Sequence, residues 1–289
     1  MAEIEHKHNN FVADLDLTSV LVNPQRCIMW APFSDLIKAA NGSVRVGVLA
    51  TMIDVACSDP ALANCSPDWT ATQDLAVQAA QPLREGPVVI DARLVRIGKK
   101  TVVTSARIFD ARGETELDRL CALGDAVADP GDPAPLGADC VLTFARIPRA
   151  ATRGVADYNP GEWVGQVRRR SPLHPATGED LNRKIGIQVV APAAGIVEVA
   201  SAPYVINAIG TINGGVQAIM LETAAELLRP GMVATDIQIK YLSQMKAGPA
   251  RTRGRVLRDA PDHSVVALEL VDAGNDNKLL TLATVLLQK

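Results

Sequence analysis

The chain has 289 residues, of which 48% are apolar and 21% charged, and its formal net charge is −3. This composition predicts a packed core and excludes wholesale disorder. A general nucleic-acid binder would carry a basic excess, so we expect no nucleic-acid partner. Aromatic residues make up only 3% of the chain, which leaves the core mainly to aliphatic side chains.

The segments that could direct the chain to a membrane do not fit that role. The first ten residues, MAEIEHKHNN, lack the basic and apolar regions of a secretory signal. The uncharged run at 199–221 contains Pro203 and the pair Gly214-Gly215, which favours a buried segment over a membrane span. Five cysteines without metal-ligand spacing and four scattered histidines predict reduced thiols, no metal site and a cytoplasmic protein.

Two parts of the chain repeat the same pattern. The stretch GSVRVGVLATMIDVA at 42–56 resembles GTINGGVQAIMLETA at 210–224, and the spacing of 168 residues pairs Asp54 with Glu222. Further along, the spacing becomes 162 residues, which indicates a six-residue difference in one loop. The repeat predicts an internal duplication. The pairs at the second spacing are Asp74 and Asp236, Gly86-Pro87 and Gly248-Pro249, and Asp110 and Asp272.

Each half is predicted to be one apolar helix followed by strands. Residues 46–57 and 215–228 are apolar on nearly every face, as expected of buried helices, and Asn213 is a suitable N-cap for the second. After each helix, apolar and polar residues alternate, as at 90–94 and 266–270, between turn sequences. This pattern predicts an α+β fold in which each helix lies against an antiparallel sheet.

A proline- and glycine-rich stretch marks the expected boundary between the halves. Pro130, Pro133 and Pro135 place a first unit at 1–135 and a second at 136–289. The charged region at about 146–183 has no clear assignment. Its triplet Arg168-Arg169-Arg170 either binds a phosphate or forms a solvated basic surface.

The start of each helix resembles a known family. The second half reads Gly210-Thr211-Ile212-Asn213-Gly214-Gly215, with Glu222 nine residues after Asn213. The first half keeps Asp54 but has Arg45 and Val46 where the asparagine and first glycine would stand. This pattern is similar to the hotdog-fold acyl-CoA thioesterases, most of all the phenylacetate-degradation branch. The resemblance implies a double hotdog, with a long central helix against a curved sheet in each half.

The resemblance also implies hydrolysis of an acyl-CoA thioester to free acid and CoA, without metal or redox cofactor. Unpaired N–H groups at the start of the second helix, at Gly214 and Gly215, suit the negative charge that develops on the carbonyl oxygen. Asp54 and Glu222 lie in apolar helical segments, where burial should raise the pKa of each carboxyl group.

The spacing within one helix shows how these groups must combine. Gly214 and Glu222 are eight helical steps apart, or roughly 12 Å, so one carbonyl cannot reach both. We therefore expect composite sites in which each carboxylate serves the helix start of the other half. Site one joins Asn213 and Gly214 to Asp54. Site two joins Glu222 to Arg45 and Val46.

Site one is the better candidate. The resemblance adds Asn207, six residues before Asn213, and Thr72, eighteen residues after Asp54. In site two the valine adds bulk and the arginine is a different kind of group, and either Ala234 or Thr235 stands where a hydroxyl is expected. Each residue also has a structural interpretation: Asn213 as an N-cap, Gly214 and Gly215 as packing glycines, and Asp54 and Glu222 as buried structural acids.

Three further expectations concern ligands and partners. The resemblance implies that Arg96, Lys99 and Lys100 in one turn meet the phosphates of CoA, although such residues are often merely solvated. It also implies association into dimers or trimers. A non-catalytic acyl-CoA or lipid-ligand binding protein stays open as an alternative. A hotdog hydratase is disfavoured because neither helix motif contains a histidine.

Overall fold

A computed structural model describes residues 3–125, 136–149, 158–174 and 178–289. The described strands are β1 (Glu3–His8), β2 (Leu17–Asn23), β3 (Arg26–Ala31), β4 (Trp69–Ala79), β5 (Val88–Ile97), β6 (Thr101–Asp110), β7 (Leu136–Ile147), β8 (Val167–Pro172), β9 (Gln188–Ala191), β10 (Ile196–Val199), β11 (Val233–Tyr241), β12 (Ala250–Asp259), β13 (His263–Asp272) and β14 (Lys278–Gln288). The helices are α1 (Val46–Cys65), α2 (Leu117–Asp125), α3 (Leu181–Ile185) and α4 (Gly214–Leu228).

The two predicted core helices are present. α4 coincides with the predicted segment, and Asn213 is its N-cap. α1 continues past its expected end at residue 57, through Pro60, to Cys65. The side-chain amide of Asn64 donates to the Pro60 carbonyl over 2.8 Å and so supports this last turn. α1 is long and apolar enough to cross a membrane, yet most of it is buried inside the protein.

All fourteen strands form one continuous sheet. The first half contributes the order β2-β3-β5-β6-β7-β4 and the second half contributes β11-β14-β13-β12-β10-β9, with β8 and β1 added beside β2. The halves meet where β4 pairs antiparallel with β11. Leu75 lies opposite Ile239 and Val77 opposite Ile237, which are equivalent pairs in the repeat. The seam therefore lies on an approximate twofold axis.

α1 and α4 pack against each other across this axis, as predicted. Glycines at equivalent positions allow the approach: a Cβ atom on Gly47 would lie 2.9 Å from Ile219, and one on Gly215 would lie 2.1 Å from the Thr51 hydroxyl. Because such contacts are shorter than packed atoms tolerate, both glycines are needed for the helix crossing. Each helix packs against the strands of its own half of the sheet.

The expected boundary between residues 135 and 136 needs correction. β7 pairs with β4 and β6, so residues 136–147 complete the first half and do not begin the second. Strand β7 corresponds to β14. The second half joins β13 to β14 by a short turn at 273–277, whereas the first half inserts α2 and the residues up to 135. The proline-rich stretch itself lies outside the described residues, and the strand that follows it belongs to the first unit.

Part of the unassigned region also belongs with the first half. β8 pairs antiparallel with β2 and parallel with β1. A short 3-10 turn at Pro160–Trp163 precedes it and packs against α1. The chain then crosses through α3 to β9. The first half is thus larger than the second, and its extra strands lie beside the cavity described below.

Two equivalent aspartates hold equivalent loops. Asp110 accepts hydrogen bonds from the backbone N–H groups of residues 84–86 at 2.7–3.0 Å. Asp272 accepts from those of residues 246–248 at 2.6–3.1 Å. Burial alone would raise the pKa of each carboxyl group, but these N–H donors lower it overall. The repeated aspartate therefore anchors an equivalent loop in each half.

Candidate active site

A cavity of about 860 Å³ lies between the two halves. The first half contributes Asp54 from α1 and Thr72 from β4, and the second contributes Asn213 and Gly214 from the start of α4. Asn207, from the loop before α4, also lines it. The residues expected in site one are therefore brought together in one cavity.

Asp54 is the carboxylate of this cavity. Its side chain is partly buried, and burial raises its pKa to about 6. The Thr72 hydroxyl donates a hydrogen bond to Asp54 over 2.5 Å, which favours the charged form but does not offset burial. A β-bulge between Thr72 and Asp74 interrupts the pairing of β4 with β7. Thr72 thus holds the orientation of a carboxylate whose pKa burial raises above its ordinary value.

The start of α4 supplies an unpaired N–H group. Asn213 accepts a hydrogen bond from the Gly215 N–H over 2.8 Å, as an N-cap does. Among the described residues, the Gly214 N–H has no such partner, and it lies at the positive end of the helix dipole. The Gly214 carbonyl in turn accepts from the Tyr241 hydroxyl over 3.0 Å. One backbone donor is therefore available to a ligand at this end of the cavity.

Gly215 has a different role from the expected one. It is not among the residues that line the cavity, its N–H bonds to Asn213, and its missing side chain makes room for Thr51. Its place in the glycine pair thus reflects helix packing, and its N–H is engaged by Asn213, so its expected role as a catalytic donor gains no support from this geometry. The physical cause is the N-cap itself, because the cap occupies the second N–H of the helix.

Asn207 shapes the loop that leads into α4. Its side-chain oxygen accepts from the N–H groups of Ile209 and Thr211 at 3.1 and 3.2 Å. Its own N–H donates to the Thr211 carbonyl over 2.8 Å. Asn207 therefore lines the cavity and holds the loop that leads to Asn213.

Two residues of the cavity were not expected from the sequence. Tyr241, at the end of β11, contacts Gly214 through its hydroxyl, and burial together with the charge of Asp54 raises its pKa. Gln217, one turn into α4, accepts from the Thr281 hydroxyl and donates to the Ile212 carbonyl over 3.3 Å. The residue equivalent to Tyr241 in the first half is Ala79, so the repeat gave no signal for it.

Site two is filled by an ion pair. The Arg45 guanidinium donates from Nε to Glu222 over 2.8 Å, and both side chains are buried. The same guanidinium donates to Asn182 over 2.7 Å and to the Thr223 hydroxyl over 3.2 Å. Neither Arg45 nor Glu222 lines the cavity. Glu222 is thus held by Arg45 away from the cavity, so a catalytic role for it stays a prediction that this geometry disfavours.

The rest of site two also lacks catalytic groups. In β11 the bulge falls between Ala234 and Asp236, which makes Ala234 the equivalent of Thr72 and removes the hydroxyl. The Ala234 N–H donates instead to Glu226 over 3.2 Å. Burial, followed by the charge of Glu222, raises the pKa of Glu226 to about 7.

The basic turn lies outside the cavity. Arg96, Lys99 and Lys100 are exposed at the tip of the β5–β6 hairpin. The Arg146 N–H donates to the Lys100 carbonyl over 2.8 Å, and Arg146 lies opposite Thr70, which lines the cavity. The turn is thus at the same edge of the sheet, and its contact with CoA stays a prediction.

Comparison with known proteins gives a family match within the first half of the chain. Residues 41–117, which contain α1 and strands β4 to β6, match the family model described as the thioesterase superfamily. A protein of Saccharolobus solfataricus named as a candidate esterase is 23% identical over 112 residues, covering 39% of this chain and 80% of that protein. Both findings support a thioester hydrolase.

Solved structures share the whole fold. A TesB protein of Mycobacterium avium subspecies paratuberculosis has a TM-score of 0.56 at 10% identity, covering 96% of this chain and 97% of that one. A hot dog fold protein of unknown function from Alicyclobacillus acidocaldarius has a TM-score of 0.52 at 12% identity, covering 96% and 97%. A 12:0-ACP thioesterase from Umbellularia californica has a TM-score of 0.56 at 8% identity, covering 91% and 94%. The expected α+β double hotdog is confirmed.

Proposed function

We propose that this thioesterase-superfamily protein hydrolyses an acyl-CoA thioester to free acid and CoA at one composite site. The observation that carries the proposal is the shared cavity, in which Asp54 of one half and the start of α4 of the other line the same space. The helix positions explain why both halves are needed, since α4 has no carboxylate of its own at its N-terminal end.

The chemistry follows from the charge that each step creates. Addition to the thioester carbonyl places negative charge on its oxygen, and the unpaired Gly214 N–H at the helix start is suited to stabilise it. The Asp54 carboxylate either removes a proton from the attacking water or attacks the carbonyl itself. Collapse of the tetrahedral intermediate breaks the C–S bond, and CoA leaves as a thiolate that takes up the proton held by Asp54 or one from water. If Asp54 itself attacks, the product of this step is an acyl-aspartyl anhydride, which water then hydrolyses to the free acid and the regenerated carboxylate. Thr72 keeps the carboxylate oriented through its hydrogen bond.

A thiol-release assay tests this proposal. Purified protein is incubated with short, long and aromatic acyl-CoA thioesters, and the free thiol is measured with a chromogenic disulfide. We expect turnover on at least one class, and loss of that turnover in the Asp54→Asn variant. Binding of the same thioesters without thiol release, measured by calorimetry, would instead favour the non-catalytic acyl-CoA or lipid-ligand protein.

We also propose a cytoplasmic homo-oligomer. Several strands inside the sheet expose apolar side chains, including Val95 and Ile97 on β5, Leu257 on β12 and Leu282 on β14. Exposed apolar groups on sheet faces favour association between chains. Light scattering at micromolar concentration should give a dimer or trimer, and a species of 30.6 kDa would contradict this expectation.

A further inference from the structure

Two arginines of β8 line the same cavity as Asp54. Successive residues of a strand point to opposite faces, so Arg168 and Arg170 share one face and Arg169 has the other. Arg168 and Arg170 are cavity-lining residues and Arg169 is not. Arg169 forms a bidentate pair with Asp16, with both N···O distances 2.8 Å. The arginine triplet is thus divided between a surface ion pair and the cavity.

Aromatic rings hold the two cavity arginines in place. The Arg168 guanidinium lies 3.9 Å from the ring centroid of Trp163 and 5.5 Å from that of Tyr158. Arg170 donates from Nη2 to the Tyr158 hydroxyl over 2.7 Å, and this hydroxyl donates to Asp59 over 2.7 Å. The guanidinium planes are therefore ordered before any ligand arrives.

These two guanidinium groups lack a direct carboxylate partner among the described residues, in contrast to Arg45 and Arg169. Asp59 is reached only through the Tyr158 hydroxyl, and it offers one negative charge to two arginines. His6 and His8 line the same cavity and add no negative charge. The cavity therefore has a positively charged wall with unfilled hydrogen-bond donors. Such a wall is suited to carboxylate or phosphate oxygens.

We infer that Arg168 and Arg170 bind an oxygen-bearing anionic group of the thioester substrate, and that this group is a carboxylate on the acyl chain. The inference rests on the proposed function, since it assigns the substrate of that site. The position of Asp59, which is linked to Arg170 through the Tyr158 hydroxyl, indicates how far the arginines lie from Asp54. Asp59 follows Asp54 by five residues on α1, which is about 7.5 Å along the helix axis. A substituent on a short acyl chain spans that distance, whereas the CoA diphosphate is separated from the carbonyl by the whole pantetheine arm.

The test compares matched thioesters on matched variants. Acyl groups of equal length that end in either a carboxylate or a methyl group are prepared both as CoA and as pantetheine thioesters. In Arg170→Gln and Arg168→Gln we expect kcat/KM to fall about 10- to 100-fold for carboxylate-ended substrates on both carriers, as loss of a charged hydrogen bond predicts. Methyl-ended substrates should change less than about twofold. Arg170→Lys should recover part of the loss, and Arg169→Gln is the matched control on the opposite face.

Two outcomes overturn the inference. If kcat/KM falls equally for carboxylate-ended and methyl-ended substrates, and only when the carrier is CoA, the arginines bind the CoA diphosphate. If both variants are folded, as judged by their melting temperatures, and keep the wild-type preference between carboxylate-ended and methyl-ended substrates, the arginines bind no substrate anion.

A binding measurement separates this inference from the proposed hydrolysis. Calorimetry uses a non-hydrolysable CoA thioether that ends in a carboxylate, beside its methyl-ended counterpart. Wild-type protein that releases no thiol but binds the carboxylate form about tenfold more tightly, with loss in Arg170→Gln, would end the hydrolysis proposal and keep this one. If the protein releases thiol but shows no preference for a carboxylate-ended ligand in kcat/KM or in binding, the hydrolysis proposal stands and the arginine inference ends.

Discussion

Arg45 donates a 2.8 Å hydrogen bond to Glu222 at the place where the approximate twofold axis would put a second active site. The counterpart of Glu222 across the axis is Asp54, which accepts from the Thr72 hydroxyl and lines a cavity. The same helical position thus holds a ligand-accessible carboxylate in one half and a buried ion pair in the other. This asymmetry predicts one working site in each chain.

The first prediction concerns the carboxylate of that site. Asp54→Asn should lower kcat/KM by about 100-fold or more, because asparagine neither accepts a proton nor attacks the carbonyl. Its side-chain oxygen can still accept the Thr72 hydrogen bond, so the fold should remain. Thiol release on one cleaved thioester is the measurement, with Asp236→Asn at the sheet seam as the control. Near-normal turnover of Asp54→Asn would exclude Asp54 from the chemistry.

The same substitution should stabilise the protein at neutral pH. The pKa of Asp54 is about 6 in the folded chain, against about 3.9 for an unfolded aspartate, so the folded state binds the extra proton between these values. Because burial disfavours the charged form of Asp54, the stability that the folded protein has below about pH 4, where Asp54 is neutral, is lost as the pH rises through about 6. At pH 7.5 the variant should gain at most about 3 kcal/mol, and nothing below pH 4. Urea unfolding at both pH values measures this, and a destabilised variant at pH 7.5 would contradict it.

Activity should follow the same ionisation. Because either catalytic role needs the charged carboxylate, kcat/KM should rise tenfold per pH unit below about 6 and level off above it. Thr72→Val removes the hydrogen bond that favours the charged form, so its profile should shift to higher pH. A profile that is flat between pH 5 and 8 would show that another group controls the reaction.

Glu222→Gln should affect stability far more than catalysis. The substitution leaves the Arg45 charge buried without a carboxylate, which typically costs about 3–5 kcal/mol. Turnover per folded molecule should stay within about threefold, since neither residue lines the cavity. Replacement of both residues by apolar ones should restore much of the stability. Chemical unfolding and kcat/KM are measured on the same preparations, and a large loss of kcat in a stable Glu222→Gln protein would reassign the active site.

Much of this architecture was predictable from local pattern. The two helices, their capping asparagine and the repeat spacing all follow from residue types at fixed separations, and the structure confirms them. The separation of Gly214 from Glu222 along one helix also predicted that the two halves must combine. Such inferences depend only on helix geometry, which the sequence determines through periodicity.

Other features depend on contacts between distant residues. Gly215 has the sequence signature of an oxyanion donor, but Thr51 on the other helix explains its missing side chain. The strand at 136–147 follows a proline-rich insertion, so only its pairing with β4 shows that it belongs to the first half. Tyr241 has no counterpart in the repeat. The sequence left Arg168 open between a phosphate site and a solvated surface, and only strand pairing placed it on the cavity.

The last prediction concerns the helix start of the working site. A Cβ atom on Gly214 would lie 3.3 Å from the Tyr241 hydroxyl, so a small side chain is barely accommodated and a branched one displaces Tyr241 or the substrate. Gly214→Val should therefore lower kcat/KM as much as Asp54→Asn does, while Gly214→Ala should have a smaller effect. The converse change, Val46→Gly, should create no second activity, because Arg45 still fills that site. Thiol release by all three variants, with melting temperatures as the folding control, tests this asymmetry. A normally active Gly214→Val protein would mean that the substrate carbonyl does not approach the start of α4.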